Sequence, residues 1–198
     1  RGHVLENEYN AVMRRAINAQ GKVSNAIAGV QLNTRFASNN ELADQLKVVA
    51  QLIGARNALG AKRQVFMVSL NGFDLHDFLP DKHGKQVDEA LSAFYNATVE
   101  LGVDKQVTTF TASDFGRTLT SNGDGSDHGW GSHHFVVGGA VKGAAFYGSA
   151  PPVSVGDTDA AQDQWHVGQG RLLPSTSVTQ YAATLARWFG VSLSEMSS

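Results

Sequence analysis

The hydrophobic period of this chain changes after Gly60, and that change constrains the fold more than any other feature of the sequence. Residues 40–59 carry apolar side chains every three or four positions, which predicts an amphipathic helix that Asn39 or Asn40 can cap. Residues 64–70 are instead almost continuously apolar, as in a strand that is covered on both faces. Such strands occur mainly in parallel sheets. The sequence therefore predicts an α/β fold with a mainly parallel sheet and helices on both faces.

The order of the elements after residue 64 supports this fold class. A helical stripe at residues 87–101 is followed by a β-branched segment at 106–112, and a short apolar strand is predicted at 135–137. A strand, a helix and a second strand in this order form a unit whose right-handed crossover makes the two strands parallel. The last helix is predicted at residues 177–189.

The chain is interpreted as one α/β domain over residues 1–198, or as the C-terminal part of a larger domain. Residues 1–60 are expected to form a helical N-terminal segment, in which Gly21 could break the first helix. Residues 61–198 are expected to form the sheet-containing core. With 198 residues, of which 42% are hydrophobic, the chain can bury a core without a disulfide or a metal.

Charge and cysteine content exclude several kinds of partner and site. The formal net charge of −2 argues against binding to nucleic acid or to an anionic membrane surface. No apolar run approaches the ~20 residues of a membrane span. Since the sequence has no cysteine, disulfide frameworks, thiolate zinc sites and cysteine nucleophiles are excluded as well.

Histidine and aspartate residues are concentrated in two long loops that follow predicted strands, at residues 71–85 and 113–134. Any one of them alone could simply cap a turn. In an open parallel sheet, however, ligands bind at the carboxyl ends of the strands, so loops after consecutive strands can meet there. Imidazole and carboxylate groups without thiolate suit Zn²⁺, Mn²⁺ or a similar divalent ion. The candidate ligands in these loops are Asp74, His76, Asp114, Asp127, His128 and His133.

Residues 122–127 read Asn-Gly-Asp-Gly-Ser-Asp and place oxygen-bearing side chains at alternate positions, as the start of a Ca²⁺ loop does. The bidentate glutamate that such a loop needs further along is missing. A glycine-rich turn that presents Asp127 and His128 is therefore the favoured interpretation. Zinc is the expected ion, with Mn²⁺ or Ca²⁺ as alternatives.

Arg117 lies three residues after Asp114 and has two possible roles. It could pair with that carboxylate or bind an anionic substrate bidentately, and it could equally be structural. A serine hydrolase would need Gly-x-Ser-x-Gly directly after a strand. Residues 125–129 read Gly-Ser-Asp-His-Gly late in a loop, so this class is excluded.

Four segments together resemble one known family. They are Asn-Gly-Phe-Asp-Leu-His at 71–76, Ser-Asp-Phe-Gly-Arg-Thr at 113–118, Asp-His-Gly at 127–129 and Phe-Val-Val-Gly-Gly at 135–139. On these motifs the chain is identified as a member of the exported bacterial family called domain of unknown function 1501. That family is distantly similar to the alkaline phosphatase and sulfatase superfamily, whose α/β fold carries metal ligands on loops at the strand ends.

This resemblance implies roles for particular residues. The first metal of the superfamily would be held here by Asp74, His76 and His128. The second metal would keep Asp114, but Phe115 stands where the superfamily has a histidine, and His133 or His134 would have to substitute. The implied activity is metal-dependent hydrolysis of a small phosphate or sulfate ester. Arg117 would then face the anionic group.

The resemblance also implies export by a twin-arginine signal, and hence a periplasmic or extracellular location. The superfamily takes its nucleophile from a first strand, and no strand is predicted here before residue 64. We therefore expect this chain to pack, through helices at 4–27 and 40–59, against an N-terminal half of the same protein or a second chain. The alternative is a non-catalytic exported binding or assembly protein that keeps the fold, which Phe115 favours.

Overall fold

The structure is a computed structural model, and it describes residues 3–77 and 82–196. The helices in these ranges are α1 (Val4–Ala28), α2 (Glu41–Gly54), α3 (Arg56–Leu59), α4 (Lys82–Glu100), α5 (Val178–Phe189) and α6 (Leu193–Met196). The strands are β1 (Thr109–Phe110), β2 (Gly116–Ser121), β3 (Ser126–Gly129) and β4 (Val136–Val137). Short 3-10 turns occur at Asp104–Gln106 and Asp163–Trp165. No helix in the described ranges has both the length and the apolar character needed to cross a membrane.

The described residues form two compact units that alternate along the sequence. The first comprises residues 3–73, 82–109 and 137–141, and the second comprises residues 74–77, 110–136 and 142–196.

The core of the first unit lies between α2 and α4. Apolar residues recur at helical spacing on both helices, and alanines on α4 let the two backbones approach closely. The buried cluster includes Leu42, Leu46, Val49 and Ile53 from α2, Ala90, Phe94 and Ala97 from α4, and Val103 after it. The apolar face of α2 is thus packed against α4 of this chain, and the expected contact of residues 40–59 with an N-terminal half or a second chain stays a prediction.

Asn40 fixes the start of α2 and connects it to α4. Its Oδ1 accepts a hydrogen bond from the backbone N–H of Ala43 at 3.1 Å, and its Nδ2 donates to the carbonyl of Gln86 at 2.8 Å. The side chain is 2% exposed, so both of its polar atoms are satisfied inside the protein. The predicted cap at Asn40 is confirmed.

Helix α1 is one continuous helix, and the break expected at Gly21 does not occur. None of its residues is buried. Large apolar side chains such as Leu5 and Tyr9 are 85% and 65% exposed.

Residues 64–70 differ from their predicted state, because in the described part of the chain they do not pair as a strand. Val68 and Leu70 pack against the core cluster, while Met67 is 95% exposed. The apolar run thus covers one face only. A continuously apolar segment is compatible both with a strand covered on two faces and with a segment packed on one face, so the sequence did not distinguish them.

The backbone of this segment is hydrogen-bonded by a side chain instead of a neighbouring strand. Gln45 donates from Nε2 to the carbonyl of Ser69 at 2.8 Å, and its Oε1 accepts from the Ser69 N–H at 3.0 Å. The sheets of the described residues are two-stranded, one of β1 with β4 and one of β2 with β3. The mainly parallel sheet stays a prediction.

The second unit contains an antiparallel hairpin of β2 and β3, in which Arg117 is paired with His128. The hairpin lies in the segment 113–134 that was expected to be an irregular loop. Its sequence signal is the Asn-Gly-Asp-Gly turn at residues 122–125, since such pairs supply the positive φ that tight hairpin turns need. Gly123 indeed has a φ of +127°.

Helix α5 follows the sequence prediction closely. Ser177 and Gln180 form a capping box at its start, and Gly190 ends it with a φ of +101°. Within the second unit, the Tyr181 ring contacts the edge of the Phe110 ring at a centroid distance of 5.9 Å.

Candidate metal centre

Three side chains of the second unit converge as the sequence analysis expected. One possible ligand atom from each of Asp74, His76 and His128 lies within 4.8 Å of the other two. Asp74 Oδ1 is 2.9 Å from His128 Nε2 and 3.7 Å from His76 Nε2. Tetrahedral ligands at ~2.0–2.1 Å from zinc are about 3.4 Å apart, a value between these two separations.

The turn of the hairpin holds these residues together. Asn122 Nδ2 donates to the carbonyl of His76 at 2.9 Å, and Asn122 Oδ1 accepts from the N–H of Gly125 at 3.0 Å. A Cβ atom on Gly125 would lie 2.1 Å from the same His76 carbonyl oxygen. The close approach of the two backbones therefore requires glycine at position 125.

Asp127 lies behind His76 instead of among the three converging atoms. Its Oδ1 is 3.0 Å from His76 Nδ1 and also accepts from Asn122 Nδ2 at 3.1 Å. The hydrogen bond with His76, and then that from Asn122, hold the pKa of Asp127 below its ordinary value. In the tautomer with the proton on Nδ1, His76 donates to Asp127 and keeps the Nε2 lone pair for a metal; outer carboxylates orient metal-bound histidines in this way.

His128 belongs to a stack of flat groups. The Phe115 ring stacks on it with a centroid distance of 3.9 Å and an interplanar angle of 8°. The His76 ring stacks on it with a centroid distance of 4.8 Å and an interplanar angle of 26°. The Arg117 guanidinium carbon lies 5.2 Å from the centre of the Phe115 ring. Phe115 thus supports the imidazole of His128.

The other predicted site residues lie outside the group of three. Arg117 donates from Nη1 to the carbonyl of Ser126 at 2.7 Å, which is a contact within the hairpin. Asp114 is exposed and lines a cleft next to His128. Among the residues that the structure describes, neither Asp114 nor His133 joins the converging ligand atoms. A role for Arg117, Asp114 or His133 in catalysis or metal binding stays a prediction.

The cleft beside His128 has a volume of about 550 Å³. Its lining residues are Asp114, Phe115, His128, Gly129, Trp130, Val167 and Arg171. Arg171 donates from Nε to the carbonyl of His128 at 3.2 Å. This arginine was not predicted from the sequence, because no sequence pattern connects residue 171 with the hairpin.

A tight turn at residues 167–171 brings Arg171 to the cleft. The N–H of Val167 donates to the Arg171 carbonyl at 2.9 Å, and the Gly170 carbonyl accepts from the N–H of Leu119 in β2 at 2.8 Å. Gly170 has a φ of +72°, and a Cβ there would lie 2.3 Å from the backbone nitrogen of Thr120. Glycine is required at this contact by both conformation and space.

Comparisons with known proteins identify the family of the chain. Residues 3–192 match the family described as Protein of unknown function (DUF1501). No curated protein and no solved structure matches the chain. Because the family match covers nearly all of the 198 residues, the chain belongs to the DUF1501 family.

Proposed function

We propose that this protein is a metal-dependent hydrolase of phosphate or sulfate esters, with Asp74, His76 and His128 as the metal ligands. The convergence of these three side chains is the observation that carries the proposal. Catalytic zinc sites use three protein ligands and leave one position open for water or substrate. The side chains of Asp74, His76 and His128 are 70%, 51% and 39% exposed, so a substrate can reach them.

The donor atoms favour zinc or manganese over calcium. Two imidazole nitrogens and one carboxylate oxygen suit Zn²⁺ and Mn²⁺, whereas Ca²⁺ takes six to eight oxygen ligands. A bound divalent ion would supply Lewis acidity toward an ester oxygen and would stabilise the charge that develops in the transition state. Asp127 would hold His76 in the required tautomer, and Phe115 would fix the plane of His128.

Export would place this hydrolase in the periplasm or outside the cell, where small phosphate and sulfate esters would be its substrates. The family motifs at residues 71–76 and 127–129 support this part of the proposal only through their resemblance to exported proteins.

The metal content of the purified protein tests the proposal. We expect one equivalent of Zn²⁺ or Mn²⁺ after exposure to the ion and dialysis, and less than a tenth of that in Asp74→Ala and His128→Ala variants. Asp124→Asn is the matched control, because Asp124 is an exposed aspartate in the same turn. Unchanged metal content in Asp74→Ala would contradict the proposed site. Release of 4-nitrophenol from 4-nitrophenyl phosphate and 4-nitrophenyl sulfate then tests turnover.

The alternative function is that of a non-catalytic binding or assembly protein. Phe115 favours it, because by the resemblance to the superfamily this residue stands where a ligand of the second metal would be expected. One equivalent of tightly bound metal without turnover of either ester would support this alternative. Turnover that is lost in His128→Ala would exclude it.

A further inference from the structure

We propose that Arg171, not Arg117, receives the anionic group of the substrate, and that Trp130 and Val167 bind its organic part. The substrate class is a phosphate or sulfate monoester of an aromatic or similarly flat ring. This inference rests on the proposed function, since it places the anion next to the ion held by His128.

Arg171 lies where it can reach an anion bound next to His128. Its Nε donates to the carbonyl of His128, which fixes the guanidinium beside a proposed metal ligand. Both residues line the same cleft. Within the described residues, this is the one hydrogen bond that the Arg171 side chain makes. Since a guanidinium has five N–H donors in a planar fork, its Nη groups keep the geometry that binds two oxygens of a phosphate or sulfate.

Arg117, in contrast, already has partners inside the hairpin. It donates from Nη1 to the Ser126 carbonyl at 2.7 Å and lies over the Phe115 ring. Moving it to a substrate would break that hydrogen bond and uncover Phe115. Its role is therefore to hold the stack on which His128 rests.

The balance of charge around the cleft determines when an anion can bind there. Asp74 and Asp127 contact His76 and His128, and Asp114 lines the cleft with Arg171. With Arg117 in the same hairpin, these three carboxylates and two guanidinium groups have a formal charge of −1, the imidazoles not counted. A divalent cation reverses the sign of this local charge. An anionic ligand should consequently bind only to the metal-loaded protein.

The remaining wall of the cleft is apolar and open. Trp130 and Val167 are 69% and 45% exposed, and both line the cleft with Arg171. The flat face of an indole suits an aromatic ring, and a stacked pair of this kind adds affinity beyond area burial. The volume of about 550 Å³ lies within the range that small-molecule sites occupy.

Calorimetric titration of the metal-loaded protein with phenylphosphonate and with inorganic phosphate tests the inference. We expect Arg171→Gln to weaken the binding of both ligands by about tenfold or more, because a charge-assisted hydrogen bond is lost. Trp130→Ala should weaken phenylphosphonate by about fivefold and leave phosphate nearly unchanged. Arg187→Gln, which removes an exposed arginine of α5, is the control for net charge. Arg117→Gln should weaken binding less than Arg171→Gln.

Metal affinity, measured in the same variants, separates the possible failures. If wild-type protein takes up no metal, the proposed function fails and the inference fails with it. If metal binds but Arg171→Gln binds phenylphosphonate like wild type, only the inference fails. A loss of metal affinity in Arg171→Gln that accounts for the whole loss of phenylphosphonate binding would also overturn it, because Arg171 would then act by positioning His128.

Discussion

Asp127 offers the sharpest test of the metal centre, because the structure gives it a different role from the three proposed ligands. Its carboxylate contacts His76 Nδ1 at 3.0 Å and lies outside the group of converging atoms. Replacing Asp127 by asparagine keeps an oxygen that can accept from Nδ1 but removes the negative charge. Replacing it by alanine removes both, so that His76 can turn or change its tautomer.

The expected loss of metal affinity differs between the two Asp127 variants for this reason. Outer partners of metal-bound histidines usually contribute about 10–100-fold in metal affinity, or about 1.4–2.7 kcal/mol. Asp127→Asn should lie near the lower end of this range and Asp127→Ala near the upper end. Asp74→Ala removes a ligand atom itself and should abolish measurable binding.

Competition with a chromophoric chelator for Zn²⁺ measures these affinities, with Asp124→Asn as the control for loss of one carboxylate in the same turn. If Asp127→Ala bound Zn²⁺ with wild-type affinity, Asp127 would not act on the metal through His76. Complete loss of binding in Asp127→Ala, as in Asp74→Ala, would instead show that Asp127 is a direct ligand.

Three further predictions concern stability. Asn40→Ala should lower the free energy of unfolding in urea by about 1–3 kcal/mol, because it removes a helix cap and the hydrogen bond from the buried Asn40 side chain to the Gln86 carbonyl of α4; an effect below 1 kcal/mol would contradict the buried cap. The pKa of Glu100 is about 2, because the backbone N–H of Asn33 and then the hydroxyl and N–H of Thr34 donate to the carboxylate. Its stabilising effect is therefore fully present above its ordinary value of 4.5 and is lost as the pH falls toward 2, so Glu100→Gln should be less stable than wild type at pH 7 and differ less at pH 3. Gly170→Ala should lower the midpoint of thermal unfolding more than Gly168→Ala, because both glycines have positive φ but only Gly170 would collide with backbone; equal effects would contradict the contact with β2.

Local structure was predictable wherever one stretch of sequence contains all of the interactions. The cap at Asn40 and the helix after Ser177 follow from residues three or four positions apart. Residues 64–70 show the limit of this reasoning, because a strand exists only when a neighbour supplies the other half of its hydrogen bonds. The apolar pattern cannot report that neighbour.

The candidate site was predictable in its members but not in its construction. Asp74, His76 and His128 were grouped because they follow predicted parallel strands; their possible ligand atoms do converge, but an antiparallel hairpin brings His128 into place. The contacts of Phe115 and Arg171 with His128 depend on a stacked ring and on a distant turn, neither of which has a periodic signal.

Hydrogen bonds join residues 74–76 to the β2–β3 hairpin, and a shared metal ion would add to the stability of this contact. A two-stranded antiparallel sheet alone is only marginally stable in water. An ion bound by Asp74, His76 and His128 would act as a reversible cross-link between residues 74–76 and the hairpin. By mass action, an ion present at 100 times its dissociation constant would add about 2.7 kcal/mol to the folded state. The local metal concentration would then set how rigid this part of the protein is.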